Sequence, residues 1–579
     1  MYTLGINAAF HDCSAALVCD GRVVAAAEEE RFTRIKHGKR PVPFTAWQLP
    51  FHAIDYCLAE AGIALREVDH IAYAFDPGLL DHGAVTPEGD IRLPLEPSRS
   101  GTPSGGRSPW DPLFLSYITN APRQLAAGAP LHLAGRFEGA SLADIQGRWT
   151  FLDHHLCHEA SAYLAAPFES AAVLTMDGRG EGVTTSYGHF AGGEYSRLKQ
   201  IGMPHSLGLL YEDVTRHLGF LHASDEYKVM ALASYGKPAL YGVFRDMLRL
   251  EEGGGFSLAP ASLAERLGPP RRRGEPLEPR HMDIASSLQH VLEDTVLHMV
   301  EWLQRQTGAA DLCMAGGVAL NCVMNSRIAR DGPFERVWVQ PAAGDAGTAL
   351  GAALHVDYRH GRGGRRWTME HAYLGPAYGD EEIARALEHA QVKYRRSEDI
   401  AADAAGLLAQ GKVLAWFQGR MEFGPRALGA RSILASPLDP AMQGRLNALK
   451  DREDFRPVAP VVVEECAHEW FDAGGRPSIR APFMLFVYDV LPQCADRIPA
   501  VRHVDGTARV QTIRREENPR YYDVLRAFEA RTGVPVLVNT SFNTRGRPVV
   551  CTPRDALEAF FTSPLDALAI GGFLVEKPA

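Results

Sequence analysis

Two histidines four residues apart, His154 and His158 in Asp153-His154-His155-Leu156-Cys157-His158, leave the same face of a helix and can grip one metal ion. His155 points elsewhere on such a helix. The run that starts at His158-Glu159 is not a zinc-peptidase His-Glu-x-x-His, because position 162 is Ala162. By itself the pair is equally an ordinary surface pair, so the carboxylates decide. Asp177 and Asp345 each stand in a glycine turn at the end of an apolar strand, where a carboxylate has no packing purpose; the alternative for either is a turn or helix cap. Together the four would make a site of two His and two Asp. Such a donor set favours Fe(II), Mn(II) or Zn(II) over a thiolate-loving ion and leaves positions open for substrate oxygens.

A second chemistry lies between positions 420 and 456, where seven cations (Arg420, Arg426, Arg431, Arg445, Lys450, Arg452 and Arg456) outnumber five acids. Forked guanidinium groups fit the oxygens of carboxylates and phosphates, and Lys450 adds a point charge. Phe423-Gly424-Pro425-Arg426 and Phe455-Arg456-Pro457 set arginines beside aromatic and turn-forming residues that would fix them, though a solvated face is the plainer alternative. Asn539-Thr540-Ser541-Phe542-Asn543 ends a β-like run with hydroxyl and amide groups, or is only a turn.

The elements that must carry these groups read as α/β. Leu4 to Asn7, Ala15 to Cys19 and Val23 to Ala27 are strands joined by tight turns, with His11, Asp12 and Ser14 in the first turn, where small residues could aim amide donors at an anion. Ala171 to Met176 runs into Asp177, Gly178, Gly180 and Gly182, and a hairpin-like stretch follows to Ile201. A long amphipathic helix covers Met282 to Gln306. Two strand-turn-helix units follow: Leu312 to Ala315 meets Gly316 and Gly317 before a helix over Val318 to Ile328, and Val337 to Gln340 meets Gly344, Asp345 and Gly347 before a helix through His355. Adjacent glycine turns that open helices suit a nucleotide, because backbone can approach it and helix N-termini attract phosphate; tight packing is the other use of such glycines. Neither turn is a Walker A loop or a Gly-x-Gly-x-x-Gly fingerprint. Beyond GRGGRR at 361–366, a linker by composition, strands are expected at Val413 to Phe417, Val458 to Val463, Phe483 to Val487 and Val536 to Val538, with a helix at Tyr521 to Thr532. Residues 76–112, rich in Gly, Pro and Ser, read either as a loop that covers substrate or as a disordered insertion. No repeat of 20 to 50 residues is evident.

Composition sets the frame. A chain of 579 residues, 46% hydrophobic and 22% charged, has the make-up of a globular protein of two to four domains. Its net charge of −10 argues against a binder of duplex nucleic acid. There is no bilayer-length apolar run, and the first cation is Arg22, so neither a membrane nor a secretory leader is expected and the cytosol is. Nine scattered cysteines without a Cys-x-x-Cys pair speak against disulfides and thiolate zinc.

The ordered segments HDCSAAL (11–17), AEEERFTRIKH (27–37), DHHLCHEASAY (153–163), LTMDGRGE (174–181), DEYKVMALA (225–233) and GGVALN (316–321), continued by EFGPRALGARSILA, FRPVAP, HVDGTARVQ and VLVNTSFN, resemble the O-carbamoyltransferases of antibiotic and nodulation-factor biosynthesis, such as the tobramycin, cephamycin and ansamycin enzymes. The resemblance runs through nearly the whole chain. It implies an actin-like (ribonuclease H-like) domain over 1–365, related to the metal-binding subunit of tRNA threonylcarbamoyl transfer, and a YrdC-like domain over 366–579. The second domain is then expected to make carbamoyl adenylate from carbamoyl phosphate and ATP, and the first to pass the carbamoyl group to a hydroxyl. On that reading His154, His158, Asp177 and Asp345 hold a divalent metal, Fe(II) foremost, His11 is the base, and Mg(II) accompanies ATP. Nucleotide contacts in the first domain fall to Gly178, Gly180, Gly316, Gly317, Asn321 and Gly344. Carbamoyl phosphate and ATP contacts in the second fall to Arg426, Arg431, Lys450, Arg456, Arg514, Ser541 and Asn543. The expected partners are ATP, carbamoyl phosphate and a hydroxylated natural product, with neither nucleic acid nor membrane, and a homodimer stays an open alternative to a monomer. Two departures from the family pattern are Ala430, where relatives carry histidine in Gly-His-Arg-Ser, and Arg547, where relatives often place glutamate. An actin-like sugar or acid kinase, or a nucleotide-dependent regulator, would share the strands and glycine turns, but neither needs the histidine pair or the basic region.

Overall fold

In the computed structural model the chain is described except for residues 39–48, 80–114, 116, 129–135, 138–139, 362–363, 476–477, 545 and 578–579. The first apolar runs form strands β1 (Tyr2–Asn7), β2 (Ser14–Cys19), β3 (Arg22–Glu28), β4 (His70–Tyr73) and β5 (Trp149–Phe151). They lie in the order β3-β2-β1-β4-β5, an antiparallel meander extended by two parallel strands. A second sheet repeats the scheme. Its strands are β6 (Ala171–Met176), β7 (Val183–Ala191) and β8 (Glu194–Gly202) and, after a hairpin of β9 (Leu248–Glu251) and β10 (Gly255–Leu258), β11 (Asp311–Ala315) and β12 (Arg336–Val339). Their order, β8-β7-β6-β11-β12, has the same pattern of antiparallel and parallel pairs. This duplicated order is the ribonuclease H-like, actin-like arrangement, repeated over more than a hundred residues and so beyond the reach of a search for short repeats.

Between the sheets runs the helix Ala346–His360, buried along most of its length. It can lie against the helix His154–Tyr163 because residue 351 is glycine: a Cβ there would overlap the Cys157 carbonyl oxygen. The contact brings the strand-end turn before one helix to the histidine face of the other.

The remainder builds an eight-stranded mixed sheet from β13 (Arg395–Arg396), β14 (Leu414–Phe417), β15 (Arg431–Ala435), β16 (Ala459–Val463), β19 (Gln511–Ile513), β20 (Val536–Ser541), β21 (Ala567–Ile570) and β22 (Phe573–Glu576), with β17 (Val487–Asp489) and β18 (Thr507–Arg509) paired beside it. The strand expected at Phe483 to Val487 is not formed. Met484 has φ 55° and Phe483 to Leu485 pack into the core of the first half, with Asn325 Nδ2 donating to the Leu485 carbonyl at 3.1 Å; the apolar run serves docking rather than a sheet. Likewise the helix expected from Val318 is broken. A short 3-10 turn, Gly317–Leu320, ends at Asn321, whose Oδ1 accepts from Met324 N–H and starts a new helix, Cys322–Asp331. Arg365, near the end of the glycine-arginine stretch, donates to the carbonyls of Tyr163, Ala166 and Phe168. Of residues 76–112 only 76–79 are described, so the reading of that segment lies outside the described residues.

The AEEERFTRIKH segment clamps the two halves. Arg31 and Glu28 form a buried ion pair at 2.9 Å; Arg31 also donates to the Gly424 carbonyl at 2.8 Å while Gly424 N–H donates back to Glu28 at 2.8 Å. Arg34 reaches the carbonyls of Val549 (2.6 Å) and Pro548 (2.9 Å), and Arg420 returns the contact to Val24 and Leu374. Every group in this bracket is hydrogen-bonded, the condition under which a buried pair tolerates its desolvation; removing one partner of such a pair costs about 3–5 kcal/mol.

Candidate functional site

Asp153 starts the histidine helix by accepting from Leu156 N–H at 2.7 Å. One turn apart on it, His154 and His158 are fully buried and their Nε2 atoms converge on the carboxylates of Asp177, at the end of β6, and Asp345, just before the central helix. His154 Nε2 lies 3.7 Å from Asp177 Oδ2 and 3.7 Å from Asp345 Oδ1; the distances from His158 Nε2 are 3.9 and 3.8 Å. One ligand atom from each of the four lies within 4.8 Å of all the others. His154 Nδ1–H donates to the Ala74 carbonyl at 3.1 Å, which fixes the tautomer with a free Nε2 lone pair. Asp177 Oδ1 is occupied by Gly317 N–H at 2.8 Å, so its Oδ2 faces the cluster.

Both Nε2 atoms and both Asp345 oxygens are buried and have no hydrogen-bond partner. Two buried carboxylates with neutral imidazole donors lack a positive charge, and a divalent cation would satisfy all of these atoms. The cluster therefore fits a metal ion, with nitrogen and oxygen donors suited to a first-row transition metal. The electrostatics agree. With no cation to balance them, the carboxylates draw a proton in its place: burial opposes a charged His154, yet Asp177 and Asp345 outweigh it and raise its pKa well above the usual range, while burial likewise opposes the Asp177 carboxylate and the two histidines pull its pKa far down. His155 turns away to Thr175 Oγ1 at 3.1 Å, as its position on the helix requires.

Beside the cluster, the β1–β2 turn is organised by Asp12. His11 Nδ1 lies 2.9 Å from Asp12 Oδ2 and His37 Nδ1 lies 2.9 Å from Asp12 Oδ1. Burial opposes the Asp12 charge, but His37 and His11 together hold its pKa well below the usual range, so it accepts both N–H groups. Each imidazole thereby donates from Nδ1 to Asp12. His11 Nδ1 is also 3.7 Å from Asp345 Oδ2, next to the metal ligands.

A cavity of about 1260 Å³ opens from this point and runs between the halves. His11, Asp12, Asp177, Gly178, Gly317, Asn321 and Gly344 line one part of it; Arg426, Lys450, Arg452, Arg456, Arg509, Ser541 and Asn543 line the other. Residues assigned to the first and to the second domain thus share one chamber. At its basic end Lys450 Nζ donates to the Ser541 carbonyl (2.6 Å) and Oγ (2.9 Å), and burial followed by Arg452, Arg456 and Lys36 pushes its pKa well below the usual lysine value. Burial, then neighbouring arginines, lowers Arg426 and Arg452 to about 9 each. Arg426 Nε, Arg452 Nη2 and Arg509 Nε are buried without partners. Cations gathered this closely, with only Glu453 among the described residues paired to Arg456 at 3.7 Å, repel one another and suit a polyanion.

The arginine loop is shaped by Glu422, whose Oε1 accepts from the N–H groups of Leu428 (2.7 Å), Ala430 (2.7 Å) and Arg431 (3.2 Å). Two of the residues expected to contact carbamoyl phosphate and ATP lie elsewhere. Arg431 is fully buried behind the loop, donates to the carbonyls of Gln418, Gly419 and Pro376 at 3.0 Å each, and stacks 3.7 Å from the Phe417 ring centroid. Arg514 pairs with Glu464 and is half exposed. Neither lines the cavity, and neither do Gly180 and Gly316, which support the cluster from behind: Gly180 packs against His154, and Gly316, at φ 91°, sits against the Met176 backbone. Sequence reasoning missed Arg509, hidden in HVDGTARVQ, and gave no role to His37 at the end of AEEERFTRIKH.

Comparison with known proteins agrees with this architecture. The Carbamoyltransferase N-terminus family matches residues 2–92 and 140–354, and the Carbamoyltransferase C-terminus family matches 405–577. An uncharacterized protein of Synechocystis is 42% identical over 626 residues, covering 100% of this chain and 97% of its own. Nodulation protein NolNO of Sinorhizobium fredii is 38% identical over 593 residues, covering 99% of this chain and 80% of its own. Among solved structures, HypF of T. kodakarensis covers 62% of this chain and 47% of its own at 13% identity with a TM-score of 0.32, too remote to add to the topology above. Matched along both halves, and at this identity to full-length relatives, the chain belongs to the carbamoyltransferase family.

Proposed function

We propose that the protein makes carbamoyl adenylate from carbamoyl phosphate and ATP and transfers the carbamoyl group to a hydroxyl of a small-molecule natural product. The observation that carries this reading is the one chamber that has His11 and the His/Asp cluster at one end and, at the other, arginines with buried, unpartnered nitrogens. In this division of labour residues 366–579 form the YrdC-like adenylating part and residues 1–365 the transferring part.

Arg426, Lys450, Arg456 and Ser541 hold the phosphates, with Arg452 and Arg509 beside them. Carbamoyl phosphate with water yields carbamate and phosphate; a carbamate oxygen then attacks the α-phosphorus of Mg-ATP, and pyrophosphate leaves. Gly178, Gly317, Asn321 and Gly344 receive the nucleotide near the cluster. His11 Nε2 takes the acceptor hydroxyl proton as oxygen attacks the carbamoyl carbon and AMP departs, which completes the balance. When bound by His154, His158, Asp177 and Asp345, Fe(II) or a similar ion supplies Lewis-acid polarisation of an oxygen held there. A path within one chamber shortens the exposure of the labile adenylate to water.

The direct test is mass spectrometry after incubation with ATP, carbamoyl phosphate and a panel of hydroxylated natural products: a product heavier by one carbamoyl group is expected only when all three are present. Phosphorylated acceptor, or no dependence on carbamoyl phosphate, would refute the reading. The metal assignment has its own readout. Replacing His158 with alanine should weaken divalent-ion affinity by more than about 100-fold in chelator competition, since even the groups that merely orient ligands are worth about 10- to 100-fold. Unchanged metal content would remove His158 from the ligand set.

A further inference from the structure

The chamber has a seam where its two ends meet, and one aromatic ring spans it. Tyr227 lines the cavity on the helix Glu226–Ala233 of the first half. The Arg456 guanidinium, from the basic end, lies 4.6 Å from its ring centroid, and the Lys36 ammonium lies 5.8 Å from the same centroid. Lys36 directly precedes His37, whose imidazole binds Asp12 at the other end. It is also close enough to Lys450 to join the cations that lower that amine. The two halves are joined next to this ring: Lys228 pairs with Glu453 at 2.8 Å and with Asp225 at 3.1 Å, and Phe455 contacts Phe220 and Tyr235 edge-on. A cation from each half thus shares one π-face system where an anion must cross from the arginines to the base.

We propose that Tyr227 is a positioning residue that sets Arg456 and Lys36 in line across the seam, so that the phosphoryl group of the carbamoyl adenylate passes from one cation to the other without leaving the chamber. This rests on the adenylate reading given above. The ring, not the hydroxyl, is what both cations meet, so phenylalanine should serve and an aliphatic residue of similar reach should not.

The test needs no acceptor. With ATP and carbamoyl phosphate alone, adenylate that escapes is hydrolysed to AMP and carbamate, so the leak is AMP released relative to carbamoyl-phosphate-dependent exchange of pyrophosphate into ATP. Tyr227→Leu should raise this leak about five- to tenfold, the scale of a lost, partly exposed cation–π contact, with exchange kept within about threefold. Tyr227→Phe should leak like the wild type. A Leu variant that leaks no more than the wild type, or a Phe variant that leaks like Leu, overturns the proposal. Should Leu lower the melting temperature and lose exchange, Lys36→Met decides in its place, with a raised leak expected and an unchanged one contrary. No exchange in the wild type would instead remove the adenylate reading itself, a result distinct from normal exchange with an unaltered leak.

Discussion

Lys450→Ala should bring carbamoyl-phosphate-dependent exchange of pyrophosphate into ATP down to the assay floor, while transfer from supplied carbamoyl adenylate survives. Removing one preorganised donor from developing charge costs about 10² to 10³ in rate, and Lys450 contributes a full charge as well as a donor. Its ammonium is braced by the Ser541 carbonyl at 2.6 Å and Oγ at 2.9 Å, with the Thr540 hydroxyl at 3.4 Å, so no other cation can take its place without moving β20. Unaltered exchange would make Lys450 a structural residue.

A pH signature separates the charge from mere packing. In the free chamber burial, then Arg452, Arg456 and Lys36, hold the Lys450 pKa well below the usual value of 10.5. A bound phosphate favours the charged amine and raises it again. The bound state then holds more protons than the free state between the two pKa values, so binding takes up a proton there and carbamoyl phosphate affinity falls as pH rises through that window. Calorimetry in buffers of different ionisation enthalpy should show this uptake in the wild type, and its loss in Lys450→Met would tie it to this amine.

Which parts of the site are legible in sequence follows from how far each depends on non-local geometry. His154 and His158 are visible because helical spacing alone puts them on one face. Asp177 and Asp345 show only as carboxylates in glycine turns; what joins them is the parallel placement of β6, β11 and β12 and the central helix, none of which is local. The strands of both sheets emerge from their apolar runs, and the structure places β1, β2, β3, β6 and β11 where those runs lie. Arg426 and Arg431 look alike in the chain, five residues apart in one arginine-rich loop. The difference is made by Glu422, which pins the amides of Leu428 to Arg431 and leaves Arg426 facing the chamber while Arg431 serves buried carbonyls. Phe483 to Leu485 misleads for the opposite reason: apolar residues that dock one half on the other have the same composition as a strand. The shared chamber itself has no local signature, because it is assembled between two halves that are joined by non-local contacts such as the Glu28–Arg31–Gly424 bracket.

The partner experiment acts at the other end. His11→Asn should slow carbamoyl transfer to the acceptor by about 10² to 10⁴, the usual contribution of a general base, and leave pyrophosphate exchange at the wild-type rate. The substitution is close in size and keeps a group able to donate to Asp12, so the turn at His11 and the Asp12–His37 contact of 2.9 Å should persist. What is lost is the Nε2 lone pair, because asparagine cannot accept a proton near neutral pH. Asp12 holds the wild-type imidazole in the tautomer that keeps Nδ1 as the donor, with that nitrogen 2.9 Å from Asp12 and 3.7 Å from the Asp345 carboxylate. The two substitutions therefore separate along the chamber: Lys450→Ala spares transfer from supplied adenylate and His11→Asn spares exchange. Equal loss of both half-reactions in His11→Asn would mean that the turn holds the fold together rather than moving a proton.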